Sequence, residues 1–319
     1  MRLFAGFDGG GTKTACVLSD ETGSRLGRGE GGPSNYLYCG KEVAARSVRG
    51  ALEGAFREAG IPVCALDTAY IASAAVATFC GEKHVPFFRT CIDAERIFCE
   101  GDLYPIRYAA VRDEPCVVTV AGTGAITYLF SGDSFVRVGG WGPTVGDEGS
   151  GYDIGRSAIV NALRMSDGRA EPDAEFLEAV LRTMNVKEAR LIVHAIREGD
   201  TRSNVAAPAK TVCELFDAGN PTAARLMNGA ADEIVLAVNA AHRRSGLTQA
   251  VPLVLSGSLV KEGRVLNRLI RERFARGQLT GISEVMTVGT EPEIASLALA
   301  LKNGGCADAS ERLLRGETE

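Results

Sequence analysis

The sequence lacks long apolar runs and has few of the side chains that metal sites and hydrolytic triads use. No stretch approaches the roughly 18 apolar residues that a membrane-spanning helix requires. There are only three histidines, His84, His194 and His242, and they are far apart in the chain. This scarcity argues against a histidine-rich metal site and against a nucleophilic triad built on histidine.

The sequence also has no Cys-x-x-Cys pair, although it contains nine cysteines. A zinc ribbon or a thioredoxin-like dithiol is therefore not expected. An odd number of scattered cysteines in apolar surroundings is typical of free thiols in a reducing compartment. The first residues form a strand-like apolar segment and do not have the pattern of a signal peptide, so we expect a cytoplasmic protein.

Runs of like charge are missing as well. The chain has 35 basic and 40 acidic residues and a net charge of −5. Nucleic acid and an anionic membrane are therefore not expected as partners. With 319 residues, 45% of them hydrophobic, the chain can form two domains with full cores.

Glycine is abundant, with 38 residues, and many of these lie in short clusters. The first cluster is Asp8-Gly9-Gly10-Gly11-Thr12-Lys13-Thr14, between two predicted strands. Glycine lets the backbone approach a ligand and turn its N–H groups toward phosphate oxygens. The Thr12 hydroxyl can donate to a phosphate, and Asp8 can hold Mg²⁺, directly or through water. A plain hairpin turn is the alternative interpretation, whereas the order of residues excludes a P-loop.

Three further segments place small residues after predicted strands. Ala121-Gly122-Thr123-Gly124 has the same position relative to its strands as the first cluster. The segment 139–151 combines several glycines with the single tryptophan and the pair Asp147-Glu148, a composition that suits a sugar ring and its hydroxyls. The segment 253–259 predicts a strand, a small turn and a helix, which could hold adenine or ribose or be an ordinary junction.

The pattern of elements predicts an internal repeat. Three short antiparallel strands at 3–7, 14–19 and 25–30 are followed by a helix at Lys41–Ala59, with further strands at 69–73 and about 88–92 and a helix from Asp93. A second meander begins after Pro115, with a turn at Gly132-Asp133. The predicted elements that follow are a helix from Pro221 to Gly246, a strand at 252–256, helices at 261–276 and 292–301, and a loose final dozen residues.

Taken together, these segments resemble the sugar-kinase, Hsp70 and actin ATPase superfamily, from about residue 3 to residue 301. Within it, the Gly-Gly-Trp-Gly and Gly-Asp-Glu-Gly-Ser motifs resemble the N-acetylglucosamine kinase and BadF/BadG/BcrA/BcrD ATPase family. The resemblance implies an α/β fold of two ribonuclease H-like, actin-like ATPase domains with a central interdomain cleft. We expect the domains at 1–112 and 113–290, with a C-terminal helix at 291–303 packing back on the first.

The resemblance also implies roles for individual residues. It places ATP at Gly10, Gly11, Thr12, Lys13, Gly122, Thr123, Gly124, Gly257 and Ser258. It places the sugar at Asn35, Gly140, Trp141, Gly142 and Asp147. Mg²⁺ is expected at Asp8, and Asp93, predicted to follow a strand, is expected to be the catalytic base. The implied reaction is phosphoryl transfer from MgATP to an amino sugar, with N-acetylglucosamine or glucosamine as the first candidates, in a homodimer.

The sequence departs from the family at two places. Residues 72–81 are less rich in glycine than expected, which leaves open whether they form a sugar-binding wall, and 291–296 replace an expected Gly-Ala step at the last helix. Two other functions stay open. One is an ATPase that activates an acyl-CoA reductase or dehydratase, which would need cluster-binding cysteines near the second glycine turn. The other is a non-catalytic sugar-sensing protein.

Overall fold

The computed structural model describes residues 1–73, 75–76, 81–132 and 134–318. Its strands are β1 (Leu3–Gly9), β2 (Thr14–Asp20), β3 (Arg25–Gly31), β4 (Leu66–Ser73), β5 (Ala94–Glu100), β6 (Cys116–Ala121), β7 (Ala125–Ser131), β8 (Ser134–Gly139), β9 (Val251–Ser256) and β10 (Ile282–Thr287). Its α-helices are α1 (Tyr36–Cys39), α2 (Lys41–Ala59), α3 (Val85–Phe88), α4 (Leu103–Val111), α5 (Gly151–Ser166), α6 (Ala174–Thr183), α7 (Ile192–Ala195), α8 (Thr201–Ala206), α9 (Pro208–Asp217), α10 (Pro221–Ser245), α11 (Val265–Ala275), α12 (Pro292–Asn303) and α13 (Ala307–Leu314).

The chain divides into two compact units, Met1–Asp113 with Gly289–Glu319 and Glu114–Val288. In the first unit the strand order is β3-β2-β1-β4-β5. β1, β2 and β3 form the predicted antiparallel meander, whereas β4 and β5 run parallel to β1. The carboxyl ends of β1, β4 and β5 therefore lie at the same edge of the sheet, the edge where ligands bind in folds of this kind.

Helix α2 covers the meander and has the predicted bounds. It ends at Gly60, whose φ of 70° is the left-handed conformation that a helix end favours in glycine. The strand beneath it has glycines because the helix lies so close: a Cβ atom at Gly29 would be 2.0 Å from the carbonyl oxygen of Ala51. The burial of Val48 and Phe56 on the inner face of α2 follows from this contact.

The predictions for residues 88–93 are wrong. The expected strand at 88–92 is occupied by the end of α3 and a turn, and the expected helix from Asp93 is instead strand β5, which begins at Ala94. The Ala94-Glu95-Arg96 start favours a helix by intrinsic propensity. Pairing with β4 along its length overrides that preference, because strand formation depends on tertiary context.

The C-terminal segment returns to the first sheet. Helix α12 packs against β1 so closely that a Cβ atom at Gly6 would be 2.1 Å from the Leu297 nitrogen. The expected loose C-terminus is wrong, because α13 follows α12 and buries Leu313. Arg112 donates to both carboxylate oxygens of Glu311, at 2.7 and 2.8 Å, which holds α13 to the end of α4.

The second unit repeats the plan of the first. Its strand order is β10-β9-β6-β7-β8, with β6, β7 and β8 antiparallel and with β9 and β10 parallel to β6. The predicted repeat is thus confirmed, and the fold is the predicted α/β fold of two ribonuclease H-like parts. Of the turn predicted at Gly132-Asp133, Asp133 lies outside the described residues.

Helices pack against the second sheet, and apolar side chains from the helices and the strands together form the hydrophobic core of this unit. Helix α10 has the predicted ends: the Asn220 side chain accepts from the Ala223 N–H at 3.0 Å, and Gly246 ends the helix with φ of 72°. Helix α11 begins four residues later than predicted, because Gly263 adopts a φ of 76° and interrupts the helical run. Among the described residues, no helix combines the length and apolar character that a bilayer span needs.

Candidate functional site

The first glycine cluster forms the tight turn between β1 and β2. The Gly10 N–H donates to the Lys13 carbonyl at 3.0 Å, and the Gly10 carbonyl accepts from the N–H groups of Ser34 and Asn35 at 3.1 and 3.2 Å. Gly11 and Thr12 are exposed, and within the described residues no acceptor binds their N–H groups. Such free, adjacent N–H groups are what a phosphate oxygen requires.

Asp8 lies beside this turn, at the carboxyl end of β1, and the charges of other carboxylates act on it. Burial raises the pKa of Asp8 to about 6, and the negative charges of Asp102 and Glu293 add to the shift, while Lys13 opposes it. Burial also raises the pKa of Asp102. Asp102 precedes α4, yet its side chain makes no capping hydrogen bond there. Instead its own backbone N–H donates to the carboxylate, which lowers the pKa by less than burial raises it.

The sequence analysis selected Asp93 as the expected base and did not consider Asp102. Asp93 does not follow a strand: it precedes β5, and its carbonyl accepts from the N–H of Leu66, the first residue of β4. It thus lies at the amino edge of the sheet, separated from Asp102 by the length of β5, about 20 Å. Asp102 follows β5 by two residues, but three of the seven residues of β5 are charged, so the sequence shows no apolar strand before Asp102 that would have pointed to it.

Asn35 has the environment of a ligand-binding amide. It is 6% exposed, and its Oδ1 atom has no hydrogen-bond partner in the described part of the chain. Buried polar atoms are nearly always paired, so an unpaired one indicates a missing partner. The next residue, Tyr36, hydrogen-bonds His84 Nδ1 through its hydroxyl and packs on Phe87 at 4.6 Å between ring centroids.

The second glycine turn, Gly122–Gly124, is attached to the start of α5. The Gly122 N–H donates to the Gly124 carbonyl at 2.9 Å, and the Gly122 carbonyl accepts from the Gly151 N–H at 2.8 Å. The Thr123 carbonyl accepts from Tyr152 at 3.1 Å. The turn thus has the same position as the first one, after the first strand of its sheet, although its internal hydrogen bond reaches two residues along the chain instead of three.

The turn after β9 lies against the second glycine turn. Gly257 has a φ of 107°, and a Cβ atom there would be 2.3 Å from the Ala121 carbonyl oxygen. The same oxygen accepts from the Leu259 N–H at 3.1 Å. A Cβ atom at Gly122 would be 3.7 Å from Ser258 Oγ, so the predicted phosphate and adenosine segments of this unit are neighbours.

The segment 139–151 forms a loop that exposes an indole and buries a carboxylate. Trp141 is 64% exposed, and the Arg137 guanidinium lies over its ring at 4.4 Å. Asp147 is buried, and its Oδ1 accepts from the Gly142 N–H at 3.0 Å. Asp147 has a φ of 59°, in the left-handed region that aspartate and asparagine adopt more often than other residues except glycine. An exposed ring beside a buried acceptor suits recognition of a sugar.

Two sheets of the same order, each with a glycine turn after its first strand, define the actin-like ATPase fold. The BadF/BadG/BcrA/BcrD ATPase family model matches residues 5–287, and the chain belongs to that family.

The relatives it resembles match three quarters of the chain or more in the following three cases. The N-acetyl-D-glucosamine kinase of Dictyostelium discoideum is 23% identical, over 94% of this chain and 98% of the relative. The N-acetylmuramic acid/N-acetylglucosamine kinase of Clostridium acetobutylicum is 29% identical, over 75% of this chain and 79% of the relative. A Chromobacterium violaceum structure, provisionally named an N-acetylglucosamine kinase, has a TM-score of 0.74 and 25% identity, covering 94% of this chain and 99% of its own.

Proposed function

We propose that this protein transfers the γ-phosphoryl group of ATP to a hydroxyl of an amino sugar, with N-acetylglucosamine and glucosamine as the first candidates. The names of the relatives support the substrate class. The observation that carries the chemistry is the place of Asp102 after β5, at the edge of the first sheet where β1 ends in Asp8 and the Gly9–Lys13 turn, with a charge that raises the pKa of Asp8.

In the proposed reaction Asp102 accepts the proton of the attacking sugar hydroxyl. The new bond joins that oxygen to the γ-phosphorus, the bond from the γ-phosphorus to the bridging oxygen breaks, and ADP leaves. Burial raises the pKa of Asp102, which makes it a better proton acceptor than an exposed carboxylate. Asp102 takes the role predicted for Asp93, because Asp93 lies at the opposite edge of the first sheet.

Phosphate binding is assigned to both glycine turns. In the first unit we assign phosphate oxygens to the Gly11 and Thr12 N–H groups and to the Thr12 hydroxyl, with Gly10 shaping the turn and Lys13 supplying positive charge. In the second unit we assign phosphate to Gly122, Thr123 and Gly124. The adenosine contacts are assigned to Gly257 and Ser258.

The carboxylates beside the first turn fit a magnesium ion. Among the described residues no three metal-ligating side chains cluster, but Mg²⁺ in kinases needs only one or two carboxylates in addition to phosphate oxygens and water. The negative charges that raise the pKa of Asp8 would be offset by a divalent cation bound there. We assign Mg²⁺ to Asp8, directly or through water; when bound, the ion neutralises charge that develops on the phosphates.

Sugar recognition is assigned to both units. Asn35 offers to a sugar hydroxyl an Oδ1 atom that has no partner within the described ranges. Gly140, Trp141 and Gly142 offer backbone groups and an exposed ring, and the buried Asp147 carboxylate accepts from hydroxyls. The stretch 72–81 cannot be assigned as a sugar wall, because Ala74 and residues 77–80 lie outside the described residues.

Coupled ADP release with MgATP tests the proposal against a panel of hexoses, amino sugars and N-acetylated amino sugars. We expect one amino sugar to stimulate turnover well above the background. A slow ATPase that responds to no sugar would refute the proposal and favour an activator of an acyl-CoA enzyme, for which iron analysis of anaerobically purified protein is decisive. The predicted homodimer and cytoplasmic location stay predictions, and light scattering would measure the former.

A further inference from the structure

Arg202, in the first turn of α8, reaches the buried carboxylate of the sugar loop. Its Nη2 atom lies 3.4 Å from Asp147 Oδ2. The Arg202 side chain is 49% exposed, whereas that of Asp147 is only 6% exposed. The Arg202 N–H donates to Asp200 Oδ1 at 3.1 Å, which fixes the start of the short helix. The half-exposed Arg202 guanidinium thus forms an ion pair with the buried Asp147 carboxylate.

The ion pair also lies against the second glycine turn. A Cβ atom at Gly124 would be 2.7 Å from Asp147 Oδ2 and 2.9 Å from Arg202 Nη2. The charged pair therefore occupies the space that a side chain at position 124 would need. Gly124, selected from the sequence for phosphate binding, is also the residue that makes room for this contact.

The two oxygens of Asp147 have different partners. Oδ1 accepts from the Gly142 N–H, and Oδ2 faces Arg202. The Asp147 carbonyl accepts from the Ser150 N–H at 3.1 Å. Gly142 and Gly149, on either side, have φ of 90° and 78°. Because glycine can adopt many backbone conformations, the loop needs contacts with other elements to hold this one. The ion pair between Asp147 and Arg202 is such a contact, because it joins the loop 139–151 to helix α8.

We propose that Arg202 is a positioning residue for the sugar: it orients the Asp147 carboxylate and thereby holds the sugar loop against the Gly122–Gly124 turn. This inference rests on the proposed function. Arg202 acts through Asp147 and through the turn, and it needs no contact with the sugar itself.

The charges around Asp147 give Arg202 a measurable effect. Burial raises the pKa of Asp147; the Gly142 N–H, Arg202 and Arg137 lower it, and Glu148 raises it. Without the positive charge of Arg202, only the Gly142 N–H and Arg137 still lower the pKa of Asp147, whereas burial and Glu148 still raise it. The pKa of Asp147 then rises further, and the carboxylate loses its charge at a higher pH than in the wild type.

Steady-state kinetics from pH 5.5 to 8.5 test the inference with Arg202→Gln. We expect KM for the sugar to rise about tenfold at neutral pH, as for loss of a hydrogen bond to a charged group, with a smaller change in KM for ATP. We also expect the acid limb of kcat/KM for the sugar to move to higher pH. Arg202→Lys, which keeps the charge but loses the planar fork, should keep the acid limb near that of the wild type.

Arg190→Gln is the matched control, because it removes an exposed arginine–carboxylate pair of the same unit, 2.6 Å from Glu188. It should leave both KM values and the pH profile unchanged. An Arg202→Gln enzyme whose sugar KM and acid limb equal those of the wild type would overturn the inference. A general loss of structure would instead lower the melting temperature and reduce kcat at every pH alike.

A second readout does not depend on turnover. Carboxyl ¹³C NMR titration of Asp147, assigned with Asp147→Asn, should show a higher midpoint in Arg202→Gln than in the wild type. Equal midpoints would overturn the inference even for an active kinase. A wild type without sugar-dependent turnover would refute the proposed function, and the titration would still decide whether Arg202 controls Asp147.

Discussion

At the residue scale, the central prediction concerns Asp102. Asp102→Asn removes the proton acceptor while nearly preserving the shape of the side chain. Since general-base catalysis contributes about 10²–10⁴-fold, we expect kcat to fall by that order. ATP affinity should change little, because Asp102 is not among the groups assigned to phosphate or adenosine. Steady-state kinetics and calorimetric titration with ATP measure the two effects.

Asp93→Asn is the control for Asp102→Asn. Asp93 lies before β5, at the amino edge of the first sheet, where its carbonyl pairs with Leu66. We therefore expect the Asp93 variant to retain most of the wild-type rate. The opposite result, an inactive Asp93 variant beside an active Asp102 variant, would show that the assignment of the base is wrong.

A second prediction at this scale concerns Asn35. Its buried Oδ1, which has no partner among the described residues, is the proposed acceptor for a sugar hydroxyl. Asn35→Ala should raise KM for the sugar about tenfold, the cost of one hydrogen bond in a buried site, and should leave KM for ATP nearly unchanged. Kinetics with each substrate varied in turn separate the two constants. A rise confined to the KM for ATP would contradict the assignment of Asn35 to the sugar.

At the element scale, one carboxylate joins the starts of two helices. Asp173 accepts from the Phe176 N–H at 3.0 Å, which caps α6, and from the Thr222 hydroxyl at 2.6 Å, in the first turn of α10. Asp173→Ala should lower the free energy of unfolding at pH 7 by about 1–2 kcal/mol, the usual cost of a lost helix cap. Urea unfolding measures this, and Glu178→Ala, on the exposed face of α6, should have little effect.

The effect of Asp173 should depend on pH. Burial acts to raise its pKa, but hydrogen bonds from Thr222, the Phe176 N–H and Asn220 outweigh it and hold the pKa below the usual value. The carboxylate therefore stabilises the folded state fully above its unfolded pKa of about 3.9, and this contribution is lost as the pH falls through the folded pKa. The stability difference between wild type and Asp173→Ala should thus shrink on acidification. A difference that stays constant from pH 7 to pH 3 would contradict this.

At the scale of the whole molecule, the chain crosses from the first unit to the second and returns. The returning helix α12 packs on β1 at Gly6. The two elements lie so close there that a Cβ atom at Gly6 would be 2.1 Å from the Leu297 nitrogen. Gly6→Ala should force helix and strand apart and lower the free energy of unfolding by about 3 kcal/mol, as overpacking does. Thermal and urea unfolding measure the change.

Gly50→Ala provides the contrast. Gly50 lies inside α2, and a Cβ atom there would have no neighbour within 4 Å. Alanine is favoured over glycine in a helix, so this variant should gain about 0.5–1 kcal/mol. If both alanine variants changed stability by the same small amount, the close contact between α12 and β1 would not be a determinant of stability.

The sequence by itself determined the local features of this protein. The first meander, the ends of α2 and α10 and the two glycine turns follow from turn glycines, helix caps and apolar periodicity, which are properties of neighbouring residues. The repeat of strand, glycine turn and strand also follows from the order of residues. The glycine and tryptophan motifs were specific enough to indicate the family.

Only the tertiary structure decided which side chains meet. Strand pairing made Ala94–Glu100 a strand against its helical propensity, and so placed Asp102 rather than Asp93 at the edge of the sheet that holds Asp8. The packing of α8 brought Arg202 to Asp147. These contacts join residues far apart in the chain, and no periodicity or local propensity encodes them, because they arise from the order of strands in a sheet and from the helices packed on it.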